Sequence, residues 1–474
     1  MNSAEDDKES VLPKLRQTEL FDIEEGAKNF AASALPTATT VDDPIPAMRS
    51  VHAQLVMLPN KNDGKNEGGE ENNDSAVLLE DPEGLAQKSI VISIAAYTLA
   101  SLFNGKRNAR DVALAFNEQQ DQCVEVKQIL ELQHELDKAM FLYSQRFEKT
   151  LKRHVRGYLN KSIRPAIHAG SAYPADPDAL RKMVAGFFSA PDGPGDLNKL
   201  LATKIAETDC VRALVVPHID MRIGGATYAH GYRELISNSQ AELFVILGVA
   251  HQACGNHLFY VSQKDFATPL GVLQTNRDLA RRLQSAADAE SFVAEMTHRT
   301  EHSIEFQAVM LQTLLKESCN REVQIVPVLC GSVEQFLTEK EDPKNSAPFR
   351  KFVECLAGEL EGCKKKWCVL CSVDLSHVGP EFEHGTIITE HLLLPVDRGD
   401  RRILQHIERL DARAFFDEIV RVQNSRHVDA VLSVMTMLEV CAGRLKSGRV
   451  LHYDQMFKKD AHSAVSYAAI TFEG

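Results

Sequence analysis

The sequence has no run of the roughly 18 consecutive apolar residues that a bilayer-spanning helix needs, so no segment reads as a membrane span and no membrane partner is expected. Its first residues, MNSAEDDKES, lack the cationic start and apolar stretch of a secretory signal, so a cytoplasmic location with reduced thiols is the expectation. The ten cysteines include no two CxxC pairs at zinc-finger spacing, which excludes a zinc-ribbon framework. Cys368 and Cys371 do read C-V-L-C, but inside the apolar run 367–373, where buried strand thiols are expected rather than a redox pair. There is no excess of basic charge either: Lys plus Arg is 53 against 66 for Asp plus Glu, a net of −13. That excludes a chain whose whole surface tracks nucleic acid. Hydrophobic residues at 44% and charged residues at 25% exclude a collagen-like or wholly disordered chain. At roughly 150 residues per domain, 474 residues suggest two or three domains.

What is present is unevenly spread. Residues 1–85 hold 18 acidic and 7 basic side chains, a net of −11, so the remaining 389 residues carry only −2. The acidity belongs to an N-terminal segment and says little about a substrate. Residues 1–45 read as a flexible acidic leader ending near Pro36, Pro44 and Pro46, with a short helix near 15–29. Residues 61–74, KNDGKNEGGEENND, have nothing to pack and read as a solvated loop. Around that loop, 46–160 read as a small helical domain. Its elements are an apolar helix over 89–103, a turn at Asn104-Gly105, and a short amphipathic helix over 108–117 with Val112, Leu114 and Phe116. One long helix follows over 125–159, with Ile129, Leu132, Leu136, Met140 and Tyr143 at heptad-like spacing. Lys149, Lys152, Arg153 and Arg156 share one face of its end. A solvated face, or a counter-charge for the acidic leader, is expected there rather than a nucleic-acid contact.

From 161 to 474 the pattern changes to short β-branched runs alternating with helices. Strands are predicted at 211–217, 243–250, 323–330 and 367–373, each apolar enough to be covered on both faces. Helices are predicted at 224–236, 276–286, 303–315, 347–360 and 412–422. That alternation predicts an α/β fold with a largely parallel sheet flanked by helices. The first strand ends in His218 and the second in His251. The last ends in Asp374, with His377 three residues on. Ligands in such sheets sit beyond the carboxyl ends of the strands, so these side chains are predicted to converge.

Two further segments carry chemistry. Thr300-Glu301-His302-Ser303-Ile304-Glu305 puts two carboxylates and an imidazole at a helix start, with Ser303 expected as N-cap. Arg426-His427-Val428-Asp429 precedes an apolar helix over 430–440, which sets Asp429 where the helix dipole favours an anion. Two His and one carboxylate form the ligand set of non-haem Fe(II) enzymes. His218, His251 and Asp429 would fill it, although spacing alone does not establish a triad so dispersed.

Taken together, His168-Ala169-Gly170-Ser171-Ala172-Tyr173, Pro217-His218, Leu247-Gly248-Val249-Ala250-His251, Glu301-His302-Ser303-Ile304-Glu305, Asp374-Leu375-Ser376-His377 and Ser466-Tyr467 occur in the order and spacing of the Memo family. The region 165–474 resembles that family, whose bacterial members are called AmmeMemoRadiSam system protein B. The family in turn resembles the class III extradiol dioxygenases, which use Fe(II) to open catechol rings. The resemblance implies an α/β domain with a metal pocket at the strand ends. It implies His218 and His251 as two metal ligands, Asp374 and His377 as a polar pair lining the pocket, and His302 as a further imidazole. His377 would then act as general acid/base on a substrate hydroxyl, held in its tautomer by Asp374 or Glu305.

At the third ligand this sequence departs from the family, which usually has Cys-Gly before an apolar helix. An ungapped alignment sets Asp429 at the Cys, and a different register sets Asn424 there. Asp429 keeps an anionic ligand, and a hard oxygen in place of a soft thiolate moves the preference from copper toward iron or manganese. Fe(II) is thus the expected cofactor, with Cu or Mn as the alternatives. Asp220 stands where the family often has Gly, and is expected to narrow the pocket or to support His218. The stretch 89–120, with FNGKRNARDVALAF, resembles more weakly the small winged-helix domain of the PqqD-like peptide-binding family.

Three function classes follow. One is an Fe(II)-dependent extradiol-type dioxygenase or other oxidoreductase acting on a small aromatic or other small molecule. Another is a non-catalytic metal-binding partner of a radical-SAM modification system. The third is a scaffold that binds a peptide or phosphopeptide in a vestigial pocket. The PqqD-like stretch fits either of the last two.

Overall fold

The computed structural model describes residues 40–49, 51–57, 75–81, 86, 88–119, 123–202, 210–253 and 255–474. The helix expected near 15–29 and the loop 61–74 lie outside the described residues. The chain divides into two units, Met1–Tyr158 and Leu159–Gly474.

In the first unit, β1 (His52–Met57), β2 (Ser75–Glu80) and β3 (Ile90–Ser93) form an antiparallel sheet in that order. The helices are α1 (Ile94–Ala100), α2 (Ala109–Gln119), α3 (Val126–Lys138) and α4 (Gln145–Leu159). Two expectations need correction. The apolar helix predicted over 89–103 begins as a strand, because Ile90, Val91 and Ile92 are β-branched and pair with β2. Ser93 stays extended and accepts a hydrogen bond from the Ala96 amide (3.1 Å), so the helix starts only at 94. The single long helix over 125–159 is two helices. Met140 adopts φ 68° after the first, and the Phe141 amide donates back to the Leu136 carbonyl (2.9 Å) in a Schellman-type stop. The core gathers Val77, Leu79, Phe103, Val112, Phe116, Ile129, Leu136 and Phe141, while Leu114 faces solvent. Lys149, Lys152, Arg153 and Arg156 are all exposed.

The second unit runs β4 (Ile163–Arg164), α5 (Pro177–Ser189), α6 (Leu197–Ala202), β5 (Val211–Val216), α7 (Met221–Asn238), β6 (Leu243–Val249), β7 (Phe259–Val261), β8 (Asp265–Thr268), β9 (Gly271–Thr275), α8 (Arg277–Ala286) and α9 (Ser291–His298). Then come α10 (Ser303–Leu311), β10 (Gln324–Cys330), α11 (Glu334–Glu339), α12 (Ala347–Glu361), β11 (Trp367–Ser372) and β12 (His377–Val378). The chain closes with α13 (Glu390–Glu408), α14 (Ala412–Arg421), α15 (Val431–Val440), β13 (Ser447–Lys458) and β14 (Ser463–Glu473). These strands make one mixed sheet whose centre, β5-β11-β6-β10, is parallel and consists of the four strands the sequence marks. One margin is antiparallel, where β14 pairs with β5 and β13 with β14, while at the other β9 runs parallel to β10.

Alternation along the central strands divides the core into two layers. On β6, Leu243, Val245 and Leu247 pack toward α8, α12, α14 and α15, while Phe244 and Ile246 pack toward α5, α7 and α10. Cys368 and Cys371 are fully buried free thiols on β11, as their apolar run requires. Burial pushes the Cys371 thiol well up, which makes it inert. Helices α10 and α15 are apolar almost all round and almost entirely buried, one on each face of the sheet. Among the described residues, no helix is long and apolar enough to cross a membrane.

Candidate metal centre

Three adjacent parallel strands, β5, β11 and β6, end side by side, and each hands its next residues to one site. His218 follows β5 and is buried. Its Nδ1 donates to the Ser372 carbonyl (2.9 Å), at the end of β11, and its amide donates to Asp374 Oδ1 (3.1 Å). His251 follows β6. Its Nδ1 donates to Glu301 Oε1 (3.0 Å), and its amide donates to Glu301 Oε2 (3.0 Å). With Nδ1 engaged in both rings, Nε2 is the atom each turns toward the site, which is how ligating histidines are usually held.

The N-terminal ends of the two buried helices supply the rest. Asp429 lies just before α15, where its Oδ1 accepts the Asp374 amide (3.0 Å). Its Oδ2 lies 3.1 Å from His218 Nε2 and 3.8 Å from His251 Nε2. His302 caps α10, and its ring stacks on His251 at 4.8 Å and stands edge-on to His218 at 5.2 Å. The three imidazoles offer nitrogens that all lie within 4.8 Å of one another. Both helix starts also present partial positive charge, which favours the carboxylates of Glu301 and Asp429.

The electrostatics follow from burial and these partners. Burial alone would lower His218, but Asp374 and Asp429 outweigh it and raise its pKa. His251 is likewise lowered by burial, yet Glu301 and Asp429 hold it up at about 10. Burial keeps His302 below its usual value despite Glu301, so it is neutral near pH 7. Asp374 is pushed up by burial, whereas the two imidazoles hold Asp429 far below the usual carboxylate range. His377 lowers the pKa of both carboxylates, and its Nδ1 lies 3.3 Å from the Leu375 carbonyl.

The residues present suit a metal ion. His218 Nε2 and Asp429 Oδ2 are both buried and face each other as an ion pair at 3.1 Å, without a well-aligned hydrogen bond between them. Such a buried pair is costly once the imidazole loses its proton, and a cation between the two atoms would then satisfy both. The three imidazoles, with the Asp429 carboxylate beside them, form a group that could hold a metal ion once their ring protons are displaced.

Residues 164–471, well over half of the chain, match the family described as Memo-like protein. The chain belongs to the Memo family. Relatives in this family include a MEMO1 family protein of Aquifex aeolicus, 26% identical over 396 residues, which are 83% of this chain and 95% of that protein. That alignment is longer than the stretch 164–471, so the similarity runs into the first unit. A MEMO1 family protein of Thermococcus onnurineus is 27% identical over 65% of this chain and 98% of its own length. A third, from Methanopyrus kandleri, is 28% identical with the same coverage of both chains.

Within the Memo fold, not every residue singled out in the sequence converges. Asn424 bonds across its own loop to the amide and carbonyl of Val428 (2.9 and 3.1 Å), so of the two registers it is Asp429 that stands beside His218. Glu305 is fully buried, but its oxygens accept Arg164 Nη1 (2.6 Å), the Ile167 and His168 amides and the Tyr173 hydroxyl. It ties down the segment 164–173 instead of orienting His377. Asp220 caps α7 through the Arg222 amide (2.8 Å) and pairs with the Arg222 side chain, rather than supporting His218. Ser303 does not cap α10 with its hydroxyl. Its Oγ bonds both the amide and the carbonyl of Val249 (3.1 Å each), fastening α10 to the end of β6. The amide-binding role at that helix start belongs to Glu301, which accepts the His302 and Ser303 amides (2.8 and 3.0 Å) as well as His251. Sequence reasoning did not assign Glu301 a role, though its position beside His302 in a helix-start motif was a usable signal.

Proposed function

We propose that this Memo-family chain holds one Fe(II) ion between His218, His251 and Asp429, with His302 alongside, and uses it in extradiol-type oxidation of a small aromatic molecule. The observation that carries the reading is the gathering of His218, His251 and His302 nitrogens within 4.8 Å of one another, with Asp429 Oδ2 3.1 Å from His218 Nε2. Such an ion, when bound, would supply Lewis-acid and redox chemistry for activating a catechol-like substrate and dioxygen.

The protein's own part is preparation. Ser372 and Glu301 fix the tautomers of His218 and His251, so both rings are aimed before any ligand arrives. Asp429, kept strongly anionic, is the hard oxygen donor that favours iron or manganese over copper. With Nδ1 against the Leu375 carbonyl, His377 keeps Nε2 available to take a substrate hydroxyl proton and return it to product. Asp374, whose carboxyl is raised by burial, lies 3.7 Å from His218 Nε2 and interacts electrostatically with His377, so it can bias that exchange.

The test is anaerobic reconstitution with Fe(II) followed by an oxygen-electrode assay on catechol and substituted catechols. Oxygen uptake that depends on iron and is lost in His377→Ala, with the iron retained, is the expected result. Iron binding with no uptake on any catechol would overturn the catalytic reading and favour a non-catalytic metal-binding partner of a modification system.

A further inference from the structure

Away from the metal-facing atoms lies a buried polar cluster that the proposed chemistry does not use. Asp400, in the middle of α13, is fully buried. Its Oδ1 accepts the Ser376 hydroxyl (2.5 Å), and its Oδ2 accepts the Ser466 hydroxyl (2.6 Å) and the Tyr453 hydroxyl (2.9 Å). Arg426 reaches the same spot, with Nε donating to Ser376 Oγ (3.0 Å) and lying 3.6 Å from Asp400 Oδ1. A buried carboxylate this far from water is held only by such partners, and a buried guanidinium is costly unless paired. The helix is shaped to receive the arginine. A Cβ on Gly399 would fall 2.6 Å from Arg426 Cζ and Nη1, so only glycine leaves the guanidinium its seat.

The cluster joins the two loops that carry the site's carboxylates. Ser376 lies between Asp374 and His377, and Arg426 lies three residues before Asp429. The His377 amide donates to the Arg426 carbonyl (2.7 Å), and the Asp374 amide donates to Asp429 Oδ1 (3.0 Å), so the loops run side by side. β14 holds the first loop too, through the Leu375 amide on the Ser466 carbonyl (2.8 Å) and the Ser376 amide on Ser466 Oγ (2.9 Å). In the second loop Gln423, Asn424 and His427 all sit at positive φ, between 46° and 51°, a conformation that persists only where the surroundings hold it.

We infer that Asp400, Ser376 and Arg426 form a positioning network that locks the 374–377 and 426–429 loops together, setting Asp429 at its distance from His218 and thereby the affinity for the metal. The inference rests on the proposed metal site. None of the three network side chains belongs to the donor set; they act through Asp429 and His377.

The experiment is a titration of the full-length, metal-free protein with Co(II), read by its visible ligand-field bands, alongside the thermal midpoint without metal. Ser376→Ala removes only the hydroxyl that links Arg426 to Asp400, and Asp400→Asn removes the charge. Both are expected to weaken Co(II) binding about tenfold or more and to shift the bands, as changes behind metal ligands do. Ile403→Val, on the same helix but in the apolar layer, is expected to lower the metal-free midpoint and leave affinity and bands unchanged. If Ser376→Ala and Asp400→Asn bind Co(II) with the affinity and spectrum of the unsubstituted chain, the positioning role is overturned while the metal site stands. If affinity in all three variants simply follows the loss of midpoint, the network is structural only and the inference fails. If the unsubstituted chain binds no Co(II), the metal reading itself fails first.

Discussion

At the scale of single residues, most of the site's ingredients were legible, because strand ends in an α/β sheet expose whatever follows them. His218, His251 and Asp374 each follow an apolar β-branched run, so their convergence needed only the sheet. In the sequence Asp429 is preferred to Asn424 only for its charge and the ungapped register, since both precede the same apolar helix. The difference is a loop with three residues at positive φ, in which Asn424 is consumed by Val428. Glu305 was misjudged for a similar reason. Its burial partner, Arg164, lies some 140 residues earlier, and no periodicity announces a buried ion pair of that span. One residue beside this region carries a separate prediction. His298 is fully buried, its Nε2 donates to the Tyr260 carbonyl (3.0 Å), and its Nδ1 has no partner to receive a second proton's hydrogen bond. Burial holds it down at about 4, with Arg164 adding to the effect. The neutral ring is the folded form, so its stabilisation is complete above the unfolded value near 6.5 and is lost as pH falls toward 4. Between pH 7.5 and 5 this group should cost the wild type about 2 kcal/mol that His298→Gln does not lose. Urea unfolding of both proteins at the two pH values measures it, and equal losses would contradict it.

At the scale of elements, the four central strands and six of the intervening helices fell within a few residues of their predicted spans. The antiparallel margin did not, because β13 and β14 read neither as continuous apolar strands nor as a hairpin with a short turn. The long helix of the first unit was misread because Met140, an ordinary helix former, takes the left-handed stop that usually calls for Gly. Contact between elements matters as much as their existence. α10 reaches β6 because Gly248 has no side chain: a Cβ there would lie 2.6 Å from Ser303 Oγ and 2.8 Å from Ile304 Cδ1. Gly248→Ala should therefore destabilise the second unit by roughly 1–3 kcal/mol. By prising α10 from β6 it should also separate His302 and Glu301 from His251 and weaken metal binding. Chemical denaturation gives the first effect and metal titration the second; an unchanged affinity would mean that α10 does not need this close approach.

At the scale of the whole molecule, the net charge of −13 has a location. It belongs mostly to residues 1–85, at −11, whereas every group around the candidate centre comes from beyond 164, where 33 basic and 40 acidic side chains leave −7. Relatives from Thermococcus and Methanopyrus match that region over almost their entire length, while the Aquifex relative matches further toward the N-terminus. The candidate site thus lies within the region that matches the Memo family, and the similarity to the Aquifex relative extends beyond it. The fold brings the buried ends of three strands and two helices to one point, and the claim that stands on this is a single nitrogen–oxygen metal centre. X-ray absorption on the anaerobically Fe(II)-loaded chain, compared with Asp429→Ala, tests it most directly. The account predicts close to one iron per chain, imidazole scattering from at least two histidines, no sulfur shell, and loss of the iron in the variant. A sulfur shell, or full iron occupancy retained in Asp429→Ala, would contradict it.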